Sequence, residues 1–152
     1  MSHEYTYDIS MFRDTFETRF TYLNGFLRNV SRFGSRPGIF DPHSGRRLAY
    51  RELNAEANRL AHALRADGVG KNDVVMFTLL NSPEFVFCYL AAHKIGAVAC
   101  PVNYRQGAGE IALVIDDSTP KAFIYDAEFG ELSGGALDLC ENKPAIKIVV
   151  GA

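Results

Sequence analysis

The chain has no run of eighteen apolar residues, so no membrane-spanning helix is expected. It has no Cys-x-x-Cys pair: its three cysteines are Cys88, Cys100 and Cys140. An odd count with no metal-type spacing argues against a disulfide framework or a zinc site and fits a reducing, cytoplasmic setting. Cys88 and Cys100 lie in apolar runs and are expected to be buried small hydrophobes. There is no large excess of charge, the formal net value being -2 with a pI near 6.1. A basic nucleic-acid footprint is therefore not expected. No Gly-x-Ser-x-Gly elbow and no GxxxxGK[ST] phosphate loop occurs. The polar start MSHEYTYDIS is not a signal peptide. The four histidines, 3, 43, 62 and 93, are scattered without ligand-like companions, which leaves solvation or packing as their expected role.

What the chain does have is ordinary globular composition, 47% hydrophobic and 22% charged over 152 residues, the size of one domain. Residues 1–15 are expected to be a flexible arm, and residues 14–33 a helix. In that helix Phe16, Phe20, Leu23, Leu27 and Val30 alternate at spacings of four and three and should form one stripe docked on the core. Gly38–Asp41 and Arg47–Tyr50 flank a turn-rich DPHSG and predict a hairpin. A helix follows from Tyr50, with Leu53, Ala57, Leu60, Ala61 and Leu64 on one face and Gly68 as its end signal.

Asp73–Leu80 is continuously apolar, as a strand covered on both faces should be. In the next helix Ser82 is placed to cap, Pro83 suits the first turn, Glu84 favours the positive end of the dipole, and Gly96 marks the exit. Ala97–Val102 predicts a second buried strand. A helix over GEIALVIDDS should turn Ile111, Val114 and Ile115 inward, with Asp116 and Asp117 at its solvated end. Lys121–Asp126 predicts a third strand, GELSGGALDLC a weak helix, and Ala145–Val150 a fourth strand. This alternation defines an α/β class: a mainly parallel sheet with helices on both faces, preceded by an N-terminal helix and a β-hairpin, in one domain over 1–152.

Two glycine-containing stretches suggest phosphate chemistry. GVGKND, residues 68–73, lies between a helix and a strand, the reverse of a phosphate loop, and Asn72 stands where Ser or Thr would reach magnesium; it is expected to be a cap and turn. Gly107, Gly109 and Ala112 satisfy G-x-G-x-x-G/A, follow a strand and open a helix, with Asp126 about twenty residues on. An NAD(P)-binding domain using Gly107 and Gly109 is therefore one reading. The polar spacer Asn103–Gln106 weakens it, because the fingerprint needs a tight turn. A non-enzymatic interaction module, dimeric through the Phe16–Val30 stripe, is another.

The order of the features resembles the N-terminal region of adenylate-forming enzymes, the group that includes acyl- and aryl-CoA ligases. Tyr50-Arg51-Glu52-Leu53 resembles a helix start of that family, and Gly68 followed by Asp73-Val74-Val75 its turn into a strand. The helix from Asn81 to Gly96-Ala97-Val98, and Pro101-Val102-Asn103 at a strand end, are similar to further family motifs. Ala49 stands where the family usually has Thr, so the reciprocal capping box with Glu52 is not expected, a loss of roughly 0.5–2 kcal/mol. Gln106-Gly107-Ala108-Gly109 is also a looser helix start than the family's.

The resemblance implies the opening portion of an AMP-forming acid–CoA ligase, with ATP, magnesium and CoA serving the parent enzyme and none bound by this stretch. The Ser/Thr/Gly-rich phosphate loop, the ribose-binding Asp and the catalytic Lys that the family uses are not found in these residues. The expectation is therefore no catalytic, cofactor-binding or metal-binding residue here, with the remainder of the parent chain as partner and a homodimer as a further possibility.

Overall fold

The computed structural model describes residues 8–151. Part of the expected 1–15 arm, residues 1–7, lies outside the described residues. Ile9–Phe12 is a short helix α1, and Arg13–Arg19 a π-helical turn. Thr21 then caps α2, Tyr22–Phe33, its hydroxyl accepting the Asn24 N–H at 3.2 Å. The expected single helix is thus broken at Phe20–Thr21. The wider π turn also shifts the register that a uniform 3.6-residue period assumes. As a result Leu23 and Val30 are half-buried, while Phe16, Phe20 and Leu27 are 50%, 62% and 38% exposed, and the stripe does not dock as one surface.

Strands β1, Pro37–Phe40, and β2, Arg47–Ala49, form the antiparallel hairpin. At Gly38 an added Cβ would fall 2.7 Å from Leu53 Cδ1, so glycine is what lets the hairpin lie this close to the next helix. That helix, α3, spans Tyr50–Ala66 and buries Leu53, Ala57, Ala61 and Leu64. Half of the capping box forms after all. Glu52 Oε2 accepts the Ala49 N–H at 2.7 Å, because this half needs only the acidic side chain and a main-chain donor. Glu110 does the same for Gly107 at 2.8 Å.

The main sheet is parallel, in the order β4-β3-β5-β6. Its strands are β3, Val74–Thr78; β4, Val98–Pro101; β5, Ala122–Asp126; and β6, Ile146–Val150. Between them run α4, Pro83–Lys94; α5, Ala108–Ser118; a 3₁₀ turn, Ala127–Phe129; and α6, Gly130–Leu139.

Side chains alternate across the sheet, and each face builds its own core. Val75, Phe77 and Ile124 pack with Leu64, Cys88, Ala91 and Ala92 of α3 and α4. Met76 and Phe123 pack with Ile111, Ala112, Ile115 and Ala136 of α5 and α6. Only β3 and β5 are covered on both faces. β4 is an outer strand, with Val98 half-exposed and Cys100 only part-buried, which corrects the expectation of a second buried strand carrying a buried cysteine. Pro101 sits on that open edge, where the missing N–H does no harm.

GVGKND is a connection, not an anion cradle. Asp73 Oδ2 accepts the Gly70 N–H at 2.8 Å and the Lys121 ammonium at 2.9 Å. Those two bonds, backbone first, hold the Asp73 carboxyl below its ordinary range against the opposing effect of desolvation. Gly96 leaves α4 at φ 74°, and its carbonyl accepts the Asn72 N–H at 2.9 Å. Asp116, expected to be solvated, accepts N–H bonds from Glu141 and Asn142 at 2.9 and 2.8 Å and ties α5 to the turn after α6. Sequence adjacency to Asp117 gave no sign of that long-range partner.

Candidate functional site

The strand order creates a switch point. From β3 the chain enters α4 on one face of the sheet; from β5 it enters α6 on the other. Neighbouring loops therefore diverge above the carboxyl ends of β3 and β5, where open α/β sheets characteristically place ligands. Across this crevice the Leu80 N–H donates to Asp126 Oδ2 at 2.6 Å.

Beside it lies a cleft of about 530 Å³ lined by Asp41, His43, Ser44, Leu80, Asn81, Ser82 and Tyr104. The hairpin loop supplies one wall. Asp41 folds that loop by accepting the Ser44 hydroxyl and the His43 N–H, the latter at 3.0 Å, and these bonds keep its carboxyl below the usual range. Arg46 pairs with Glu84 and so fastens the loop to the first turn of α4. Burial pushes the Glu84 carboxyl up, but the Arg46 bond, its own backbone N–H and the Arg46 charge outweigh burial, and the net direction is downward. Tyr104, on the opposite rim, stacks on Phe129 with ring centroids 4.9 Å apart. Asn103 Oδ1 accepts the Arg105 N–H at 3.0 Å and shapes the turn that carries Tyr104.

The helix starts at this rim carry carboxylates. Glu84 occupies the first turn of α4, and Glu110 that of α5, where its Oε2 takes the Gly107 N–H. A phosphate would meet negative charge at Glu110, and at α4 an arginine already occupied by Glu84. Ser82 stands at the capping position of α4 but makes no capping bond. Among the described residues no group of three or more His, Cys, Asp or Glu side chains is placed to hold a metal ion. Cys88 is buried, and desolvation, then the charges of Glu84 and Asp126, push its thiol up to about 12, away from nucleophilic reactivity.

The geometry removes the basis of the dinucleotide reading. β4 and β5 flank the Gly107–Gly109 unit in sequence but are not neighbours in the sheet, because β3 lies between them. A dinucleotide fingerprint needs its two strands adjacent, so that the acidic residue reaches the ribose. Gly109 lies inside the first turn of α5, and the Asp126 carboxylate is engaged by Leu80. Only the alternative dinucleotide reading gave Asp126 a ligand role; the preferred reading expected no cofactor-binding residue here. Sequence reasoning treated Asp41–Ser44 and Tyr104 only as turn residues, and no local periodicity could have marked them as facing one cleft.

A doubly wound parallel unit with this switch point defines the class. The profile of the AMP-binding enzyme family matches residues 26–151, and the chain belongs to that family. A 3-hydroxybenzoate–CoA/4-hydroxybenzoate–CoA ligase of Thauera aromatica is 42% identical over 103 residues, 68% of this chain and 20% of that protein. The long-chain-fatty-acid–CoA ligase FadD13 of Mycobacterium tuberculosis is 41% identical over 87 residues, 57% of this chain and 17% of its own length. A solved Mycobacterium tuberculosis fatty acyl CoA synthetase superposes with a TM-score of 0.78 at 30% identity, over 87% of this chain and 27% of that one. The chain spans a fifth or less of the length of these two ligase relatives, at 20% and 17%.

Proposed function

We propose that this chain is the opening scaffold of an ATP-dependent acid–CoA ligase. It forms one α/β unit over residues 1–152, the first portion of a larger adenylate-forming domain in a cytoplasmic enzyme. The parent activates a carboxylic acid, in our reading a fatty acid, as its acyl-adenylate and passes the acyl group to CoA, using ATP and magnesium. The match to the AMP-binding enzyme family across residues 26–151 carries this reading. The named activities of FadD13 and the solved fatty acyl CoA synthetase favour a fatty acid, while the hydroxybenzoate relative makes an aromatic acid the alternative to test.

The chain by itself is proposed to be inactive. Bringing a carboxylate to a polyphosphate requires groups that offset the repulsion between them. At the crevice rim, Glu110 adds negative charge instead, and Arg46 is already paired with Glu84. The partner that completes the site is the remainder of the parent chain.

A chimera tests both halves of the proposal. This chain replaces the matching segment of the Thauera aromatica ligase, and acid-dependent AMP release is measured with CoA present. Release above that of the ligase lacking the segment supports the scaffold reading. A folded chimera no better than the truncated ligase refutes it. ATP–pyrophosphate exchange by the 152-residue chain alone would overturn the claim of inactivity.

A further inference from the structure

Among the described residues, four side-chain polar atoms are shut away from solvent and make no hydrogen bond: Thr78 Oγ1, Ser82 Oγ, Gln106 Oε1 and Ser133 Oγ. Ser82 lines the cleft already described. The other three lie elsewhere, and Thr78 and Ser133 are wholly buried, at 0% exposure. A buried hydroxyl without a partner is costly, so in folded proteins such groups are paired with protein or with ordered water.

The fold brings these three to one end of one face of the sheet. Thr78 is the last residue of β3 and pairs in register with Tyr125 of β5. Alternation puts both on the face of Met76 and Phe123, and Tyr125 packs there. Ser133 lies one turn before Ala136, on the flank of α6 that buries against the same face. Because β5 and β6 are parallel, α6 runs back antiparallel to them, and its first turns stand over the carboxyl ends of the strands. Gln106 immediately precedes Gly107, the capping residue of α5. That helix links β4 to β5 and so crosses β3, which lies between them. Its start therefore sits over the end of β3, where Thr78 is. The two helix starts are also close: a Cβ built at Gly135 would lie 3.4 Å from that of Ala108.

We propose that Thr78, Ser133 and Gln106 hold one ordered water molecule between β3 and the first turns of α5 and α6. The donors and acceptors balance. Gln106 Oε1 only accepts, while each hydroxyl offers one donor and two lone pairs. A water that donates to Gln106 Oε1 and Ser133 Oγ and accepts from the Thr78 hydroxyl satisfies all three, and about three bonds is usual for a buried water. A monovalent cation would also find three oxygens, but its charge would rest on a core of Met76, Val102, Phe123 and Ala136, which disfavours a buried ion. The segments entering α5 and α6 carry Tyr104 and Phe129, whose rings stack at 4.9 Å. The water thus ties to the sheet the two segments that build this rim of the crevice. The proposal does not depend on the ligase reading.

The test joins a crystal structure of the 152-residue chain to denaturant unfolding of T78V, S133A and T78V/S133A. Density for one water is expected within hydrogen-bond distance of Thr78 Oγ1 and Ser133 Oγ. T78V should lower the folding constant by about fivefold or more, because it leaves the water and its other partners short of a bond. S133A should lower it by less, since alanine favours the helix. T78V/S133A should lose less than the product of the two, because both stranded hydroxyls are then gone. T78S keeps the hydroxyl and should retain the water, which decides the matter if T78V does not fold. A dry site in the parent or T78S structure would overturn the proposal. So would a T78V variant more stable than the parent, the result expected of a hydroxyl that had no partner to lose. An unfolding midpoint that rises with K⁺ or Na⁺ at fixed ionic strength would assign the site to a cation instead.

Discussion

The Leu80 N–H reaches Asp126 Oδ2 at 2.6 Å, across the crevice where the loops after β3 and β5 part company. One carboxylate thus ties together two loops 46 positions apart in sequence. Asp126→Ala should cost about 1–2 kcal/mol, as for a lost hydrogen bond to an ionised acceptor. Chemical denaturation measures the loss, and hydrogen exchange should show faster opening at the Leu80 amide. Unchanged exchange there would mean that the bond does not hold the rim.

Asp73 makes stability depend on pH. Its folded-state pKa lies below the ordinary 3.8, through the Gly70 bond first and Lys121 second. A depressed carboxylate pKa adds stability above the unfolded value and loses it as pH falls through the folded value. Asp73→Asn should therefore destabilise the chain at neutral pH, and the gap from the parent should narrow below 3.8. Denaturation midpoints across an acid series test this. A gap that widens toward acid would contradict it.

Two left-handed positions predict opposite signs. At Gly96, φ is 74° and an added Cβ would meet Lys71 Cγ at 3.3 Å. Gly96→Ala should therefore lower stability by about 1–2 kcal/mol. Thr119 holds φ 42° at the exposed end of α5, a conformation that a β-branched residue adopts at a cost. Relief of that cost outweighs the extra entropy glycine loses, so Thr119→Gly should raise stability by about 0.5–1 kcal/mol. Thermal and denaturant unfolding report both.

Thiol labelling separates the cysteines. Cys88 and Cys140 are buried, whereas Cys100 is part-exposed on the outer strand β4. Desolvation raises the Cys100 pKa despite the opposing Ser118 bond, so its reaction should be slow at neutral pH and faster in alkali. Mass spectrometry should find Cys100 modified first in the native protein and all three after unfolding. Early modification of Cys88 would mean that α4 opens readily.

The helices and strands were legible where the evidence was local. The Leu53–Leu64 stripe, Pro83 at a first turn and Gly96 at an exit each act within a few residues of themselves. The arm was misread for the same reason. Its spacing of four and three assumes an unbroken helix, whereas Thr21 starts a new one and the π turn before it changes the angle per residue. Cys100 and Pro101 looked buried because their run is apolar, and apolarity alone does not say whether a strand has one neighbour or two.

The sequence by itself determined the alternation of helix and strand and the helix exits at Gly68 and Gly96, since these rest on spacing along the chain, and its motifs carried the resemblance to the family. Only the tertiary structure decided that β3 and β5 lie side by side, with β4 moved to the edge. That order depends on which helix faces bury against which side of the sheet, a sum over distant contacts. It separates the glycines of α5 from the acidic residue they would need and turns Asp126 toward Leu80.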